Sequence, residues 1–383
     1  MEQILAFILG KNPELSTAEI LSYLSARGIV SEVLAKEEQF FILKISDQSL
    51  DIKIEDLGGT IKICRIFQVS ESIKVEIENI FDLNKGKIIF GLSFYNIKNW
   101  QSLYTEIGKQ LKQKLREKGI KSGYFHLPKG RSYLSHVEVI KKNLVENGEV
   151  VFCFSGGKYY IGKTIQVHNP FEFQKRDIGR PEQRAIFSIP PRLAKIMVNL
   201  LGIKSGIILD PFCGIGTILQ EAVLMGFDVR GVDIDKNCAV SARKNLDWLK
   251  KEYSLELKEL DKKIISGDSR KLSKYFGKEP IDGIATEPYL GPPLKKYTER
   301  KKAEKILSEL DELYTKVLSE CHKILKSSGR VCIISPRIKL GNSTISLNMP
   351  EICKKTNFQL LHTYTDSEER HRLIREINVL EKV

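Results

Sequence analysis

Two short stretches of the chain combine residue types that can do chemistry. The first, Leu209–Thr217, reads Leu-Asp-Pro-Phe-Cys-Gly-Ile-Gly-Thr and follows an apolar, strand-like run. Its glycines let the backbone approach a ligand closely, and the helix predicted after it presents free N–H groups at its start. The second stretch, Thr286–Tyr289, begins about 75 residues later and reads Thr-Glu-Pro-Tyr. A carboxylate there can accept a proton from an amine, and an aromatic ring beside it can stack on a flat base.

The first stretch differs from two common phosphate-binding turns. It lacks the Gly-x-Gly-x-x-Gly spacing of dinucleotide-binding folds, and no Gly-Lys-Ser/Thr follows it as in nucleoside triphosphate-binding loops. An NAD-dependent oxidoreductase and an NTPase are therefore disfavoured. A structural strand–helix turn without a ligand stays open as an alternative.

Acidic residues follow the next two predicted strands. Asp233 ends the run 229–233, about 20 residues after the glycine turn, where a carboxylate is placed to bind a ribose diol. Asp268 follows the third strand, where its side chain could bond an adenine amine. Asp235 is expected to cap the next helix instead of binding a ligand.

The elements that position these residues alternate between helix and strand from residue 188 to the C-terminus. The last two strands follow each other with no helix between them, so we expect a mostly parallel, seven-stranded sheet whose last strand is antiparallel. Strands are predicted near 206–211, 228–233, 262–266, 281–286, 330–335, 358–365 and 375–381.

The preceding half has a mixed α+β pattern. Residues 1–70 are predicted to form a small α+β domain, in which Ser16 and Glu19 make a helix capping box. Residues 71–165 form a second α+β domain with a long basic helix near 100–118, and 166–187 are an ordered linker to a domain at 188–383.

The charge balance favours a polyanionic partner. The chain has 61 basic and 48 acidic residues, a formal net charge of +13, and neutralised phosphates release counterions. The segment 109–131 contains eight basic residues and one acidic residue, with aromatic residues among and just after them. This segment is either a contact surface for an RNA backbone or a solvated helix face. Its candidate contacts are Lys112, Arg116, Lys129 and Arg131.

Two further basic groups are near the second stretch or the final hairpin. Either group could bind substrate phosphates, and a solvated surface is the alternative for each. They are Lys295 and Lys296 in the first group, and Arg370, His371, Arg372 and Arg375 in the second.

The composition also excludes several classes of protein. No run of 18 apolar residues occurs, and the N-terminus lacks the features of a signal peptide. The seven cysteines contain no Cys-x-x-Cys pair, and none of the six histidines has a ligand-like partner. We therefore expect a cytoplasmic protein without a membrane span, a disulfide framework or a metal.

Both stretches resemble motifs of class I S-adenosylmethionine methyltransferases. Leu209–Thr217 looks like their cofactor loop, and Thr286–Tyr289 looks like an altered (Asp/Asn)-Pro-Pro-aromatic motif with which such enzymes methylate exocyclic amines. The whole chain resembles the THUMP-containing tRNA guanine-N2 methyltransferases, which act on guanosine 10 in archaea and eukaryotes. The resemblance also rests on 8–16, on 160–164 with Arg176 and Asp177, and on 190–194.

The resemblance implies a Rossmann-like methyltransferase domain after a ferredoxin-like and THUMP half. It also implies tRNA as the partner, with Lys163 and Arg176 in the RNA-binding module, and either a monomer or a complex with a small activating subunit. Glu287, Pro288 and Tyr289 would be catalytic. The residues expected around S-adenosylmethionine are Asp210, Pro211, Phe212, Cys213, Gly214, Gly216, Thr217, Asp233 and Asp268.

The second stretch departs from the family pattern. Glu287 is one methylene longer than the usual acid, and an ungapped comparison puts Tyr289 on the second proline and Leu290 on the aromatic position. Either Tyr289 has taken over the stacking role or stacking is lost. The alternatives are a non-catalytic or partner-dependent tRNA-binding protein, and an amino-methyltransferase for another RNA or for DNA.

Overall fold

The structure, a computed structural model, describes residues 2–46, 52–184, 189–257, 259–277, 281–294, 297–367 and 372–383, with only the backbone at 261. The chain divides into two compact units. The N-terminal unit comprises Met1–Thr17 and Gly28–Glu172, and the C-terminal unit comprises Ala18–Arg27 and Phe173–Val383.

The N-terminal unit is built on one mixed sheet. Its described strands follow the order β2-β3-β1-β4-β8-β7-β5-β6, in which only β5 pairs in parallel, with β6 and with β7. The helices and strands between residues 3 and 178 are β1 Gln3–Leu9, α1 Pro13–Ala26, β2 Ser31–Lys36, β3 Phe40–Ile45, β4 Thr60–Ser70, β5 Lys87–Tyr95, α2 Trp100–Glu117, β6 Lys121–Tyr124, α3 His136–Lys141, α4 Leu144–Asn147, β7 Glu149–Ser155, β8 Lys158–Val167 and α5 Pro170–Ile178.

This sheet continues across the predicted boundary near residue 70. Strand β4, from the first predicted domain, pairs antiparallel with β8, from the second. The sheet therefore joins strands from both predicted domains, and the limits of the functional modules stay predictions. Helix α5 forms within the predicted linker.

The predicted capping box of α1 is wrong. The helix begins at Pro13, and the side-chain oxygen of Asn12 accepts a hydrogen bond from Leu15 N at 3.2 Å. Ser16 lies inside the helix, and its hydroxyl donates to the Asn12 carbonyl at 2.7 Å. An asparagine cap followed by proline at the first helical position is a strong start signal, and it places the first turn four residues earlier than Ser16 would.

A buried ion pair holds the middle strands of the N-terminal sheet together. Lys62 Nζ on β4 lies 2.5 Å from Glu149 Oε1 on β7, with both side chains at most 1% exposed. Glu149 also accepts hydrogen bonds from Ser93 on β5 and Thr164 on β8, each at 2.5 Å. The Glu149 carboxylate on β7 therefore bonds side chains from the three strands β4, β5 and β8, and so connects four strands.

The C-terminal unit contains a second sheet, which the predicted pattern describes well. Its described strands follow the order β11-β10-β9-β12-β13-β16-β15, with β14 paired to β13. The elements are α6 Pro191–Leu200, β9 Ile207–Asp210, α7 Thr217–Leu224, β10 Asp228–Asp233, α8 Lys236–Glu252, α9 Leu260–Lys263, β11 Ile264–Ser266, α10 Leu272–Phe276, β12 Ile281–Thr286, α11 Arg300–Ile324, β13 Leu325–Lys339, β14 Thr344–Ser346, α12 Met349–Lys355, β15 Phe358–Asp366 and β16 Leu373–Lys382.

The predicted α/β fold with an antiparallel last strand is confirmed. Strands β11, β10, β9, β12 and β13 pair in parallel, and β16 is antiparallel to both of its neighbours. The last strand inserts between β13 and β15. The short strand β14 is an addition that the sequence pattern did not indicate.

We expect Lys62→Met to destabilise the chain by about 3–5 kcal/mol, because Glu149 would keep a buried charge without its counterion. Urea unfolding measures this. The double variant Lys62→Met/Glu149→Leu should recover most of the loss. Lys44→Met, which removes an exposed pair with Glu2, is the control and should leave the midpoint unchanged; a similar loss in both single variants would contradict the argument.

Candidate active site

The site lies where the order of the parallel strands reverses. From β9 the chain moves to β10 and β11 on one side, and β12 returns to the other side of β9. In open α/β sheets a crevice forms at the carboxyl ends of the strands at such a point. Asp210 ends β9 and Thr286 ends β12, and the Thr286 hydroxyl donates a hydrogen bond to Asp210 Oδ1 at 2.7 Å. The two motifs of the sequence are therefore in direct contact.

The glycine turn after β9 has the backbone shape that only glycine adopts easily. Gly214 and Gly216 have φ angles of 52° and 87°. A Cβ on Gly216 would lie 3.2 Å from the Cβ of Ala242, whereas one on Gly214 would meet no atom within 4 Å. Gly216 is needed for close helix packing, and Gly214 leaves open space beside the turn.

Asp233 holds this turn in place. Its Oδ2 accepts a hydrogen bond from Gly214 N at 2.8 Å, and its Oδ1 accepts one from Asp235 N at 2.9 Å. Burial raises the pKa of the carboxyl group, and the two backbone donors oppose that rise. Asp235 caps α8 through Asn237 N, as expected from the sequence.

An open cleft brings the glycine turn and the second motif together. Its empty space, including the part that is open solvent, is about 400 Å³. Glu287 lies in the same cleft as five of the predicted cofactor residues. The lining residues are Arg184, Ile189, Asp210, Phe212, Cys213, Gly214, Ile215, Thr217, Ile218 and Glu287.

Asp210 is a buried acid at the floor of this cleft. It is 2% exposed, and burial raises the pKa of its carboxyl group to about 7. The hydrogen bonds from Thr286 and from Phe212 N lower that pKa, while the charges of Asp233 and Glu287 raise it. The structural role of Asp210 is to tie the two strand ends together.

Glu287 is paired with a cation from a distant strand. Arg375 Nε on β16 donates to Glu287 Oε1 at 2.6 Å, and the two side chains are 18% and 10% exposed. Burial raises the pKa of Glu287, the charge and hydrogen bond of Arg375 lower it, and Asp366 raises it. Arg375, a candidate phosphate contact in the sequence, is instead engaged with this carboxylate.

The residues after Glu287 divide between core and surface. Pro288 is buried and Leu290 is 9% exposed, whereas Tyr289 is 57% exposed. Leu290, which the ungapped comparison places on the aromatic position, packs into the protein. Tyr289 is the ring of this motif that is open to a planar ligand.

The other predicted cofactor residues have identifiable roles outside the cleft lining. The Pro211 carbonyl accepts a hydrogen bond from the Ser269 hydroxyl. Asp268 is bound to its neighbour Arg270 by two contacts of 2.9 Å, which lower its pKa. Within the described residues, Asp268 Oδ2 accepts a single hydrogen bond, from Arg270 Nη2, and a carboxylate oxygen can accept a second one from an amine.

Within the turn and the helix after it, two predicted residues are also engaged. Burial raises the pKa of the Cys213 thiol well above its usual value, which favours the less reactive thiol form over the thiolate. The Thr217 hydroxyl accepts a hydrogen bond from Arg180 Nη1 at 2.7 Å.

Most predicted RNA contacts in the N-terminal unit lie on the surface. Lys112, Arg116 and Lys129 are exposed. Arg131 pairs with Glu138 at 2.8 Å, and Lys163 Nζ donates to a backbone carbonyl at 3.4 Å.

In the C-terminal unit, the guanidinium of Arg372 lies 4.2 Å from the ring centroid of Tyr297, which is 55% exposed. Lys295 and Lys296, like Arg370 and His371, lie outside the described residues.

The structure contradicts the assignment of Arg176 as an RNA contact. Its side chain is 6% exposed, and two of its nitrogens bond Glu221 on α7 at 2.6 and 3.2 Å. Lys195 on α6 lies 3.3 Å from the same carboxylate. The guanidinium thus links α5 to the helix that follows the glycine turn. The prediction failed because the sequence pattern shows the charge of Arg176 but not its burial.

Two residues of the cleft region were missed as site residues by sequence reasoning. Arg184 lines the cleft, and its Nη1 lies 2.9 Å from Cys238 Sγ. Arg375 was considered only as a phosphate contact. The only signal in the sequence is the positive charge of each residue, which indicates neither its partner nor its place beside the cleft.

Among the described residues, no group of three or more His, Cys, Asp or Glu side chains is arranged to hold a metal ion. None of the described helices is long and apolar enough to span a membrane.

The strand order and the turn after β9 define the C-terminal unit as a class I methyltransferase fold. Residues 181–366 match the UPF0020 family, described as an RMKL-like methyltransferase domain. Residues 88–244 match a second family, N6_N4_Mtase, described as a DNA methylase. Crystalline TrmN from Thermus thermophilus has a similar fold over 100% of both chains, at 16% identity and a TM-score of 0.53.

Curated relatives show a more specific sequence similarity. The tRNA (guanine(10)-N2)-dimethyltransferase of Methanothermobacter thermautotrophicus is 36% identical over 54% of this chain and 53% of its own length. The enzyme of the same name from Pyrococcus abyssi is 31% identical over 52% of this chain and 55% of its own length. The chain is thus related to these dimethyltransferases, and its matched part spans about half of their length.

We expect Arg176→Met to cost about 1.5–3 kcal/mol of stability, because it removes the charged hydrogen bonds from Arg176 to the buried Glu221 carboxylate and leaves Lys195 as the neighbouring cation. The folded variant should bind tRNA as tightly as the unchanged chain. Thermal denaturation and filter binding at fixed salt measure the two effects. Arg116→Met, on the exposed face of α2, should weaken tRNA binding and leave the stability unchanged. Weaker tRNA binding by a fully stable Arg176 variant would restore the assignment of Arg176 as an RNA contact.

Proposed function

We propose that this protein transfers a methyl group from S-adenosylmethionine to the exocyclic N2 of a guanosine in tRNA. The observation that carries the proposal is the contact between the two motifs: Glu287 shares a cleft with the glycine turn, and the preceding Thr286 bonds Asp210. A proton acceptor and a cofactor turn are therefore adjacent at the switch point of the sheet.

The residues around the turn fit a nucleoside cofactor with charged ends. A side chain at Gly214 would project into free space, so the turn leaves room for a ligand beside its backbone. Asp233 stands at the end of β10, and each of its oxygens accepts one backbone hydrogen bond. A carboxylate oxygen can accept a second bond, which a ribose hydroxyl would supply. Arg184 lines the cleft and offers a cation to a carboxylate.

S-adenosylmethionine, when bound, supplies an electrophilic methyl group on a sulfonium. Transfer forms a bond between guanine N2 and the methyl carbon, breaks the carbon–sulfur bond with its electron pair left on sulfur, and leaves a surplus proton on nitrogen. Glu287 accepts the N–H hydrogen bond and takes that proton as a carboxylate. Tyr289, 57% exposed, stacks on the base and aligns its amine.

The choice of tRNA guanosine 10 is supported by the relatives and by the charge of the surface. Relatives with 31% and 36% identity carry the name tRNA (guanine(10)-N2)-dimethyltransferase. The chain carries a net charge of +13, and Lys109, Lys112 and Arg116 on α2 are exposed. The N-terminal unit would hold tRNA through its phosphates while the guanine leaves its stack to reach the cleft.

The test of this function is methyl transfer from labelled S-adenosylmethionine to an unmodified tRNA transcript. We expect N2-methylguanosine or N2,N2-dimethylguanosine on nucleoside analysis, and Glu287→Gln should lower the rate about 100-fold or more. Glu304→Gln, on an exposed helix face, is the matched control and should retain full activity.

The outcomes separate the competing functions. Binding of both tRNA and S-adenosylmethionine without a methylated product would favour a tRNA-binding protein. Product on a DNA duplex in place of tRNA would favour the alternative that the DNA methylase family match suggests.

Phosphate contacts on α2 predict a steep salt dependence of tRNA binding by the full chain. Lys112→Met/Arg116→Met should lower the slope of log K against log salt by about 2, because two contacts are lost. Lys250→Met/Lys251→Met removes the same charge from an exposed part of α8 and should not change the slope. Equal effects of both pairs would indicate a general charge effect without a defined surface.

A further inference from the structure

Arg375 and Glu287 form a directed ion pair inside the cleft wall. They lie 88 residues apart in the chain, and the Arg375 Nε hydrogen points at Glu287 Oε1 over 2.6 Å. Both side chains are largely buried, at 18% and 10% exposure. Because solvent screens such a buried pair poorly, the charge and position of Arg375 strongly affect the protonation and orientation of the Glu287 carboxylate.

The pair leaves part of Glu287 available to a ligand. Within the part of the chain that the structure describes, Arg375 Nε bonds Oε1 of the carboxylate, and Glu287 is also one of the residues that line the open cleft. Arg375 approaches from β16, on the far side of β13 from β12. One face of the carboxylate is thus fixed by the sheet while the other side of the residue borders the cleft.

We infer that Arg375 is a positioning residue that keeps Glu287 ionised and fixes its carboxylate toward the cleft. This inference rests on the proposed function, in which Glu287 receives the amine proton. It also gives a physical reason for the longer acid: the extra methylene of Glu287 lets one carboxylate lie within reach of both the β16 guanidinium and the cleft.

The charged and titratable groups around Glu287 act in opposite directions. Burial and Asp366 on β15 raise the pKa of Glu287, and Arg375 is the cation that lowers it. Asp210 on β9 and Tyr314 on α11 also interact with its charge, and Tyr314 donates its hydroxyl to the Ile334 carbonyl. Arg184 lines the same cleft. Without Arg375, the neighbouring acids and burial would favour the protonated form, which cannot accept a proton.

The direct test is a pH titration of Glu287 in the full chain. It is monitored by NMR on protein labelled with carbon-13 at the glutamate side-chain carboxyl. Loss of one signal in Glu287→Gln assigns it, and Asp210 does not contribute to these spectra. We expect the midpoint of that signal to rise by about 1–3 pH units in Arg375→Met, because an opposite charge within hydrogen-bond distance is removed. Arg375→Lys should return it most of the way.

The second readout is the pH dependence of single-turnover methyl transfer. The base works as a carboxylate, so activity is lost as pH falls through the pKa of Glu287; in Arg375→Met this loss should occur at higher pH. Below the midpoint the rate should fall about tenfold for each pH unit, with tRNA affinity unchanged. Arg375→Lys should restore the acidic limb in part.

Arg330→Met is the matched control. It removes another arginine–glutamate pair of the same sheet, between Arg330 on β13 and Glu381 on β16, at 2.9 Å. It should alter neither the Glu287 midpoint nor the acidic limb of the rate profile. Circular dichroism of each variant establishes that it is folded, and Arg375→Gln, which also removes the charge, serves if Arg375→Met is not.

The two readouts separate failure of the inference from failure of the proposed function. An unchanged Glu287 midpoint in folded Arg375→Met would overturn the inference even if the enzyme methylates tRNA. A raised midpoint in a chain that transfers no methyl group to tRNA would support the electrostatic role of Arg375 and reject the proposed function. Equal shifts in Arg375→Met and Arg330→Met would also overturn the inference, because the effect would then be a general consequence of lost charge.

Discussion

The hydrogen bond from Thr286 to Asp210, 2.7 Å long, joins the carboxyl ends of two neighbouring parallel strands, and the rest of the site depends on it. Asp210 begins the glycine turn, and Thr286 directly precedes Glu287. Because Asp210 is 2% exposed, the bond is made in a medium of low dielectric constant and holds both strand ends in one register. The glycine turn and Glu287 therefore have a fixed relation before any ligand binds.

Several buried charges in the C-terminal unit serve to fix elements around this junction. Arg176 and Lys195 meet on Glu221 of α7, the helix that opens after the glycine turn. Arg375 meets Glu287 in the same way at the other motif. Buried pairs of this kind add little net stability compared with apolar contacts, but breaking one partner is costly. Their effect here is to place the start of α7 and the carboxylate of Glu287 precisely.

The altered second motif is consistent with a site that has been rebuilt around the same sheet. Leu290 packs into the core and Tyr289 is exposed, so the exposed ring stands one position earlier than the aromatic of the (Asp/Asn)-Pro-Pro-aromatic motif that this stretch resembles. The longer acid is matched by a cation from β16. These two changes are coupled in space, since both concern the few residues that leave the end of β12.

The sequence by itself determined the alternation of helix and strand, the acids at the strand ends and the glycine turn, because each of these depends on local periodicity and on backbone conformation. It did not determine the capping of α1, where two overlapping cap signals competed within five residues. Only the tertiary structure decided that Arg176 is buried and that Arg375 meets Glu287, 88 residues away. The sequence shows the charge of a residue but not its partner. The partner depends on the strand order, which places β16 beside β13 through contacts between residues far apart in the chain.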